Sequence, residues 1–144
     1  MIAALLAGCS PSSGPPRRTQ ADATTEPWYG QTLIQLVDMN RQALDLFQHG
    51  KSDAAAALIM QAQPLAKRLI SVPRPTLAAT EAASDLDQLN GQMLFSNRNY
   101  GWARLLFQKN LARWKYWTPR TPETAARLKR AQAEIADCDR RIGQ

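Results

Sequence analysis

From Trp28 onward the apolar residues recur three and four positions apart, and no stretch alternates apolar with polar as a half-buried strand would. This period confines residues 28–144 to an all-α fold, and the breakers within it set the helix limits. The first helix is expected from about Trp28 to Gln48, with Pro27 as its starter and Leu33, Leu36, Val37, Asn40, Leu44 and Phe47 on or beside one stripe. His49-Gly50 ends it, because glycine accepts a left-handed conformation without penalty. Ser52 is expected to cap a second helix that stops or kinks near Pro64, before the break at Val72-Pro73-Arg74-Pro75. A third helix should run from about Thr76 to Ser96, and a fourth from about Tyr100 to Trp117 after the turn at Asn97-Arg98-Asn99. Thr121 and Pro122 suit the cap and first position of a fifth, which should reach Arg141. About five antiparallel helices, arranged as hairpins, follow.

The chain of 144 residues is the size of one ordinary domain. Its 44% hydrophobic and 21% charged residues suffice to build a core. After the first eight residues, charges or prolines interrupt every apolar run well short of the roughly eighteen positions that a membrane span requires. With one His and two Cys, the chain offers no closed nitrogen and sulfur ligand set for zinc and no disulfide framework. No cofactor or metal is expected.

The N-terminus carries a different signal. Leu6-Ala7-Gly8-Cys9 reads aliphatic, small, small, Cys, and it resembles the lipobox of bacterial lipoproteins. The resemblance implies that Cys9 receives a diacylglycerol, becomes the new N-terminus on cleavage and is further acylated, for instance with palmitate. Multiple acyl chains on one residue meet the requirement for stable anchoring without a span. Only eight residues precede Cys9 and none is charged, so residues 1–9 read as a truncated signal whose start lies upstream. Residues 10–27 hold four Pro, three Ser and one Gly without apolar periodicity, as a disordered, flexible tether would. Ser10, where a lipoprotein retained in the inner membrane more often carries Asp, points to the outer membrane, with the domain of residues 28–144 facing the periplasm.

Displacing the chain by 48 residues aligns Ala43 with Gly91, Leu46 with Leu94, Phe47 with Phe95, Ala55 with Ala103, Leu58 with Leu106 and Ile59 with Phe107. These positions resemble the tetratricopeptide repeat, a helical hairpin with a small residue midway along its first helix and a small residue followed four later by a large one in its second. Gly91, Tyr100, Ala103 and Phe107 carry the better match: Ala and Gly let helices approach and an aromatic ring fills the groove. The Trp expected early in the first helix is Asp87 here, and 48 exceeds the family's 34 residues. A simple antiparallel bundle fits the same residues. If the resemblance holds, the first helices line a concave face on which Asn40, Gln88 and Gln92 bond to a partner's backbone, with Phe47 and Phe95 nearby.

Nothing in the chain points to catalysis. Asp85 and Asp87, like Asp137 and Asp139, are two apart and diverge on a helix, so they read as solvated faces rather than acid–base couples. There is no phosphate-cradling loop, nucleophile elbow or helical His pair. Cys138 lies far in sequence from His49 and reads as a small apolar residue rather than a nucleophile.

Charge divides the chain. Arg98–Arg141 holds eleven basic and four acidic residues, whereas Ala21–Asn97 holds five basic and eight acidic. On the fourth helix Tyr100, Ala103, Phe107, Leu111 and Trp114 fall on one core stripe, while Trp102, Lys109, Arg113 and Trp117 fall on another that reads as a wet surface patch. Two functions compete: an envelope lipoprotein that binds a partner protein through its helical hairpins as an adaptor or assembly factor, and a binder of an anionic envelope polymer or lipid surface through the basic, aromatic C-terminal half. An exported chain rarely meets nucleic acid, so that partner is set aside.

Overall fold

A computed structural model describes residues 21–144; the lipobox, and the tether as far as residue 20, lie outside the described residues. Five α-helices follow in order: α1 (Pro27–Gln48), α2 (Ser52–Ile70), α3 (Leu77–Ser96), α4 (Tyr100–Lys115) and α5 (Pro122–Ile142). Among the described residues there is no strand, so the chain is all-α. The last part of the expected tether is ordered. Asp22 accepts a hydrogen bond from the Thr24 amide at 3.0 Å and caps a single 3-10 turn, Ala23–Thr25, and Pro27 is already the first residue of α1.

Local chemistry sets most helix ends. The Thr76 hydroxyl accepts the Ala79 amide at 3.2 Å to cap α3. Thr121 and Thr124 cap α5 reciprocally, each hydroxyl accepting the other's amide, at 3.2 and 2.9 Å. Other helix ends differ from expectation. Ser52 is not a cap: Lys51 holds that position, makes no side-chain cap bond, and Ser52 is already helical. Nor does Pro64 end α2, which continues to Ile70. Pro64 and Met60 are both exposed, so the carbonyl that loses its helical donor lies on the solvent side, where water replaces the missing N–H. At the other end of the domain, α4 stops at Lys115, two residues before the expected Trp117.

The 48-residue self-similarity reappears in the backbone. His49 and Asn97 donate to the carbonyls of Asp45 and Met93, both at 3.1 Å. Gly50 and Arg98 then donate to Phe47 and Phe95 at 3.1 and 3.0 Å, and Lys51 and Asn99 to Leu46 and Leu94, both at 2.8 Å. The turn needs a left-handed residue at its fourth position, supplied by Gly50 at φ 74° and by Arg98 at φ 62°. Arginine pays a steric cost there that glycine avoids.

Each helix packs on the next, and α1 also reaches α3. Ten of the twenty residues of α3 are buried, which makes it the central helix. Among the described residues, nine of the nineteen buried hydrophobic side chains are alanine, so backbones approach closely and a few large side chains fill the remaining space. Gly91 is the tightest point: a Cβ there would lie 2.5 Å from Phe107 Cε1 and 2.9 Å from Cζ, so the ring occupies the room that the missing side chain leaves. Trp28 edges onto Tyr29 at a centroid distance of 5.4 Å and takes the Arg68 guanidinium at 4.1 Å, pinning α1 to α2. The Tyr29 hydroxyl accepts the Thr76 amide at 3.1 Å, tying α1 to the start of α3.

Candidate functional site

Residues of α1, α3 and α5 together line an open groove of about 530 Å³. Val37, Asn40, Arg41 and Leu44 form the α1 wall, α3 supplies Glu81, Asp85, Gln88, Leu89 and Gln92, and α5 contributes Arg127 and Arg130. Val37 and Leu44, expected on or beside one stripe with Leu36, are exposed and face this groove, while Leu36 is buried. Of the residues in the wall, Asn40, Gln88 and Gln92 were expected at a binding face; the others, Arg41, Arg127 and Arg130 among them, were not. Val37 and Leu44, seven apart, carried a signal, since they extend the apolar stripe of α1 beyond the width that one packed face needs.

The three amides expected on a concave face do share this groove, in different states. Asn40 is half-buried; its Nδ2 donates to the Ala82 carbonyl at 2.8 Å, which fixes the amide and leaves its buried Oδ1 with no donor among the described residues. Gln88 is engaged within the fold, its Nε2 donating to Glu134 Oε1. Burial raises the Glu134 carboxyl above its ordinary range, against the opposing effects of Gln88 and the nearby Arg130. Gln92 is exposed and makes no side-chain bond among the described residues. Phe47 is half-buried against the main core. Phe95 is likewise packed, with its ring 5.0 Å from Tyr100, and lines a smaller cavity of about 170 Å³ with Gln92, Phe107, Glu134 and Asp137. Arg127 is held at the groove by Asp85 at 2.7 Å, with its guanidinium 5.3 Å from the Trp114 ring centroid.

The second expected patch does not form as one surface. Asp87, read as solvated, is buried: its side chain is only 9% exposed and takes Lys109 Nζ and Arg113 Nη2, each at 3.0 Å. Arg113 is itself 11% exposed and also donates to Asn110 Oδ1, whose amide donates to the Ser84 carbonyl at 3.1 Å. Trp114 Nε1 donates to Ser84 Oγ at 2.9 Å. One polar network therefore sews α3 to α4, and Arg113 belongs to it rather than to the surface. Trp117 is half-buried with its ring 6.1 Å from Trp114. Of the four residues, Trp102 is exposed and Lys109 half-exposed.

Cys138 is fully buried beside Ala103 and Phe107, and burial pushes its thiol up, opposite to the shift that activates a nucleophile. His49 is exposed at the end of α1. Among the described residues no three His, Cys, Asp or Glu side chains come together as metal ligands, and no helix is long and apolar enough to cross a membrane. Comparison with known proteins returns no matching family model, no similar curated protein and no similar solved structure.

Proposed function

We propose that the chain is a non-enzymatic lipoprotein, held at the outer membrane through acylated Cys9 and facing the periplasm, that binds an envelope protein in the groove between α1, α3 and α5 as an adaptor or assembly factor. The observation that carries the groove reading is Asn40. A buried acceptor without a donor is unfavourable by about 1–3 kcal/mol. An extended or helical segment laid in the groove beside the apolar Val37, Leu44 and Leu89 would supply that donor from its backbone N–H once the Asn40 side chain turns outward to meet it. Exposed Gln92 adds a donor and an acceptor on the same wall.

Photo-cross-linking tests the groove. A benzophenone amino acid at Leu44 or at Gln92 should yield one adduct of the same mass in envelope extracts, and the same residue at exposed Asp53 on α2 should not. Asn40→Ala should reduce the yield several-fold, as loss of about 1 kcal/mol of binding implies. Equal adducts at all three positions, or a yield indifferent to Asn40→Ala, would refute the groove. The anchor is checked separately. Metabolic labelling with an alkynyl fatty acid should mark the chain and fail with Cys9→Ser; label that survives the substitution would remove Cys9 from the reading.

A further inference from the structure

The side of the domain opposite the groove has its own chemistry. There α2 and α4 flank α3, and between them lies a second groove of about 360 Å³. Its floor is apolar, formed by Ala66, Ile70, Ala83, Leu86 and Leu106, and Lys67, Lys109 and Arg113 stand around it with Asp87 as the sole acid. Sorting charge by helix rather than by chain half shows where in the fold the asymmetry lies. Together α2 and α4 carry six basic residues, Lys67, Arg68, Arg104, Lys109, Arg113 and Lys115, and one acidic, Asp53. In α1, α3 and α5 the balance reverses to six basic and nine acidic.

Large apolar side chains are exposed on the same two helices and at Tyr116, the residue that caps the C-terminus of α4. Trp102, Leu105 and Tyr116 are 68%, 53% and 74% exposed, and Met60 on α2 is equally bare. Trp102, Leu105, Lys109 and Ala112 follow at i, i+3, i+7 and i+10 along the outer face of α4, and the C-cap residue Tyr116, at i+14 with near-helical backbone, continues the same stripe. Its ends are Trp and Tyr, fourteen residues or about 21 Å apart at the helical rise of 1.5 Å. Lys109 stands between them with its Nζ 3.0 Å from Asp87, and Lys115 stands beside Tyr116 with its Nζ 5.5 Å from that ring's centroid; long lysine stems lie along apolar surface.

We propose that this α2/α4 side docks on an anionic lipid membrane, with α4 lying in the interfacial plane. Amphipathic aromatic rings favour the headgroup level, where one end is apolar and the other wet. Juxtamembrane lysines and arginines are attracted to acidic headgroups. A soluble polyanion would use the charges but gain little from Trp102, Leu105 and Tyr116, whereas a bilayer uses both, and on that ground the membrane is the occupant. The surface is distinct from the protein-binding groove and does not depend on it.

The test uses the full chain with Cys9→Ser, so that no acyl anchor contributes, and co-sedimentation with vesicles of phosphatidylcholine containing about one third phosphatidylglycerol. The chain should partition onto these vesicles and not onto pure phosphatidylcholine, and raised salt should weaken it. Lys67→Glu with Lys115→Glu should reduce partitioning at least about tenfold, and so should Trp102→Ser with Leu105→Ser; circular dichroism checks that each variant is helical. Absence of binding, equal binding to both vesicle types, or indifference to Trp102→Ser with Leu105→Ser would overturn the proposal. The last outcome, joined to capture on immobilised dextran sulfate, would assign the face to a soluble polyanion instead.

Discussion

Asp87→Ala is expected to lower the stability of the domain by about 3–5 kcal/mol, because it leaves the Arg113 guanidinium buried without its carboxylate. Lys109, half-exposed, can turn into water when its partner is removed; Arg113, enclosed between α3 and α4, cannot. A loss of that size is a large fraction of the roughly 5–15 kcal/mol by which domains are stable. Urea unfolding followed by circular dichroism measures it. A paired substitution, Asp87→Leu with Arg113→Met, separates the burial of an unpaired charge from the value of the pair itself: it should recover most of the loss, since an apolar replacement of a buried ion pair is often neutral. A double variant as unstable as the single one would show that geometry at this point, rather than charge, holds α3 to α4.

Trp114→Ala should cost a comparable amount, about 3–5 kcal/mol, by the removal of one of the largest fully buried side chains and the cavity this leaves. Trp114→Phe isolates the polar part. It keeps most of the ring but leaves Ser84 Oγ, buried within α3, without the indole donor at 2.9 Å, and about 1–3 kcal/mol of loss is expected from that alone. Thermal unfolding should therefore rank wild type above Trp114→Phe and Trp114→Phe above Trp114→Ala. If the two variants were equally stable, the ring would contribute nothing beyond its hydrogen bond.

How far the sequence reached depends on the range of the interaction in question. Helix ends are local, so Pro27, Gly50, Thr76, Thr121 and Pro122 were legible as starts and stops, and the apolar stripe of α4 correctly placed Ala103, Phe107 and Trp114 in the core. Pro64 does not stop α2, because a proline's cost depends on whether water can reach the freed carbonyl, which the local sequence does not state. Asp87 was misread for a related reason. Two positions apart from Asp85, it does point elsewhere, but what it meets there is Lys109 and Arg113 from another helix. The 48-residue offset did bring Asn40, Gln88 and Gln92 to one face of the domain, and only the fold reveals that Gln88 is already engaged by Glu134. Arg127 and Arg130 escaped notice because α5 lies outside the internal similarity that suggested the face. The charge asymmetry was seen along the chain, whereas in three dimensions it separates neighbouring helices.

The central position of α3 leaves the two grooves only one helix apart. Gln88 and Leu89 look into one of them, and Leu86 and Asp87, one turn of the backbone away at most, form part of the other. A ligand that shifts or stiffens this shared wall therefore acts on both sides at once. Thermodynamic reciprocity then sets the terms: whatever factor an occupant of one side imposes on affinity at the other is returned to it unchanged.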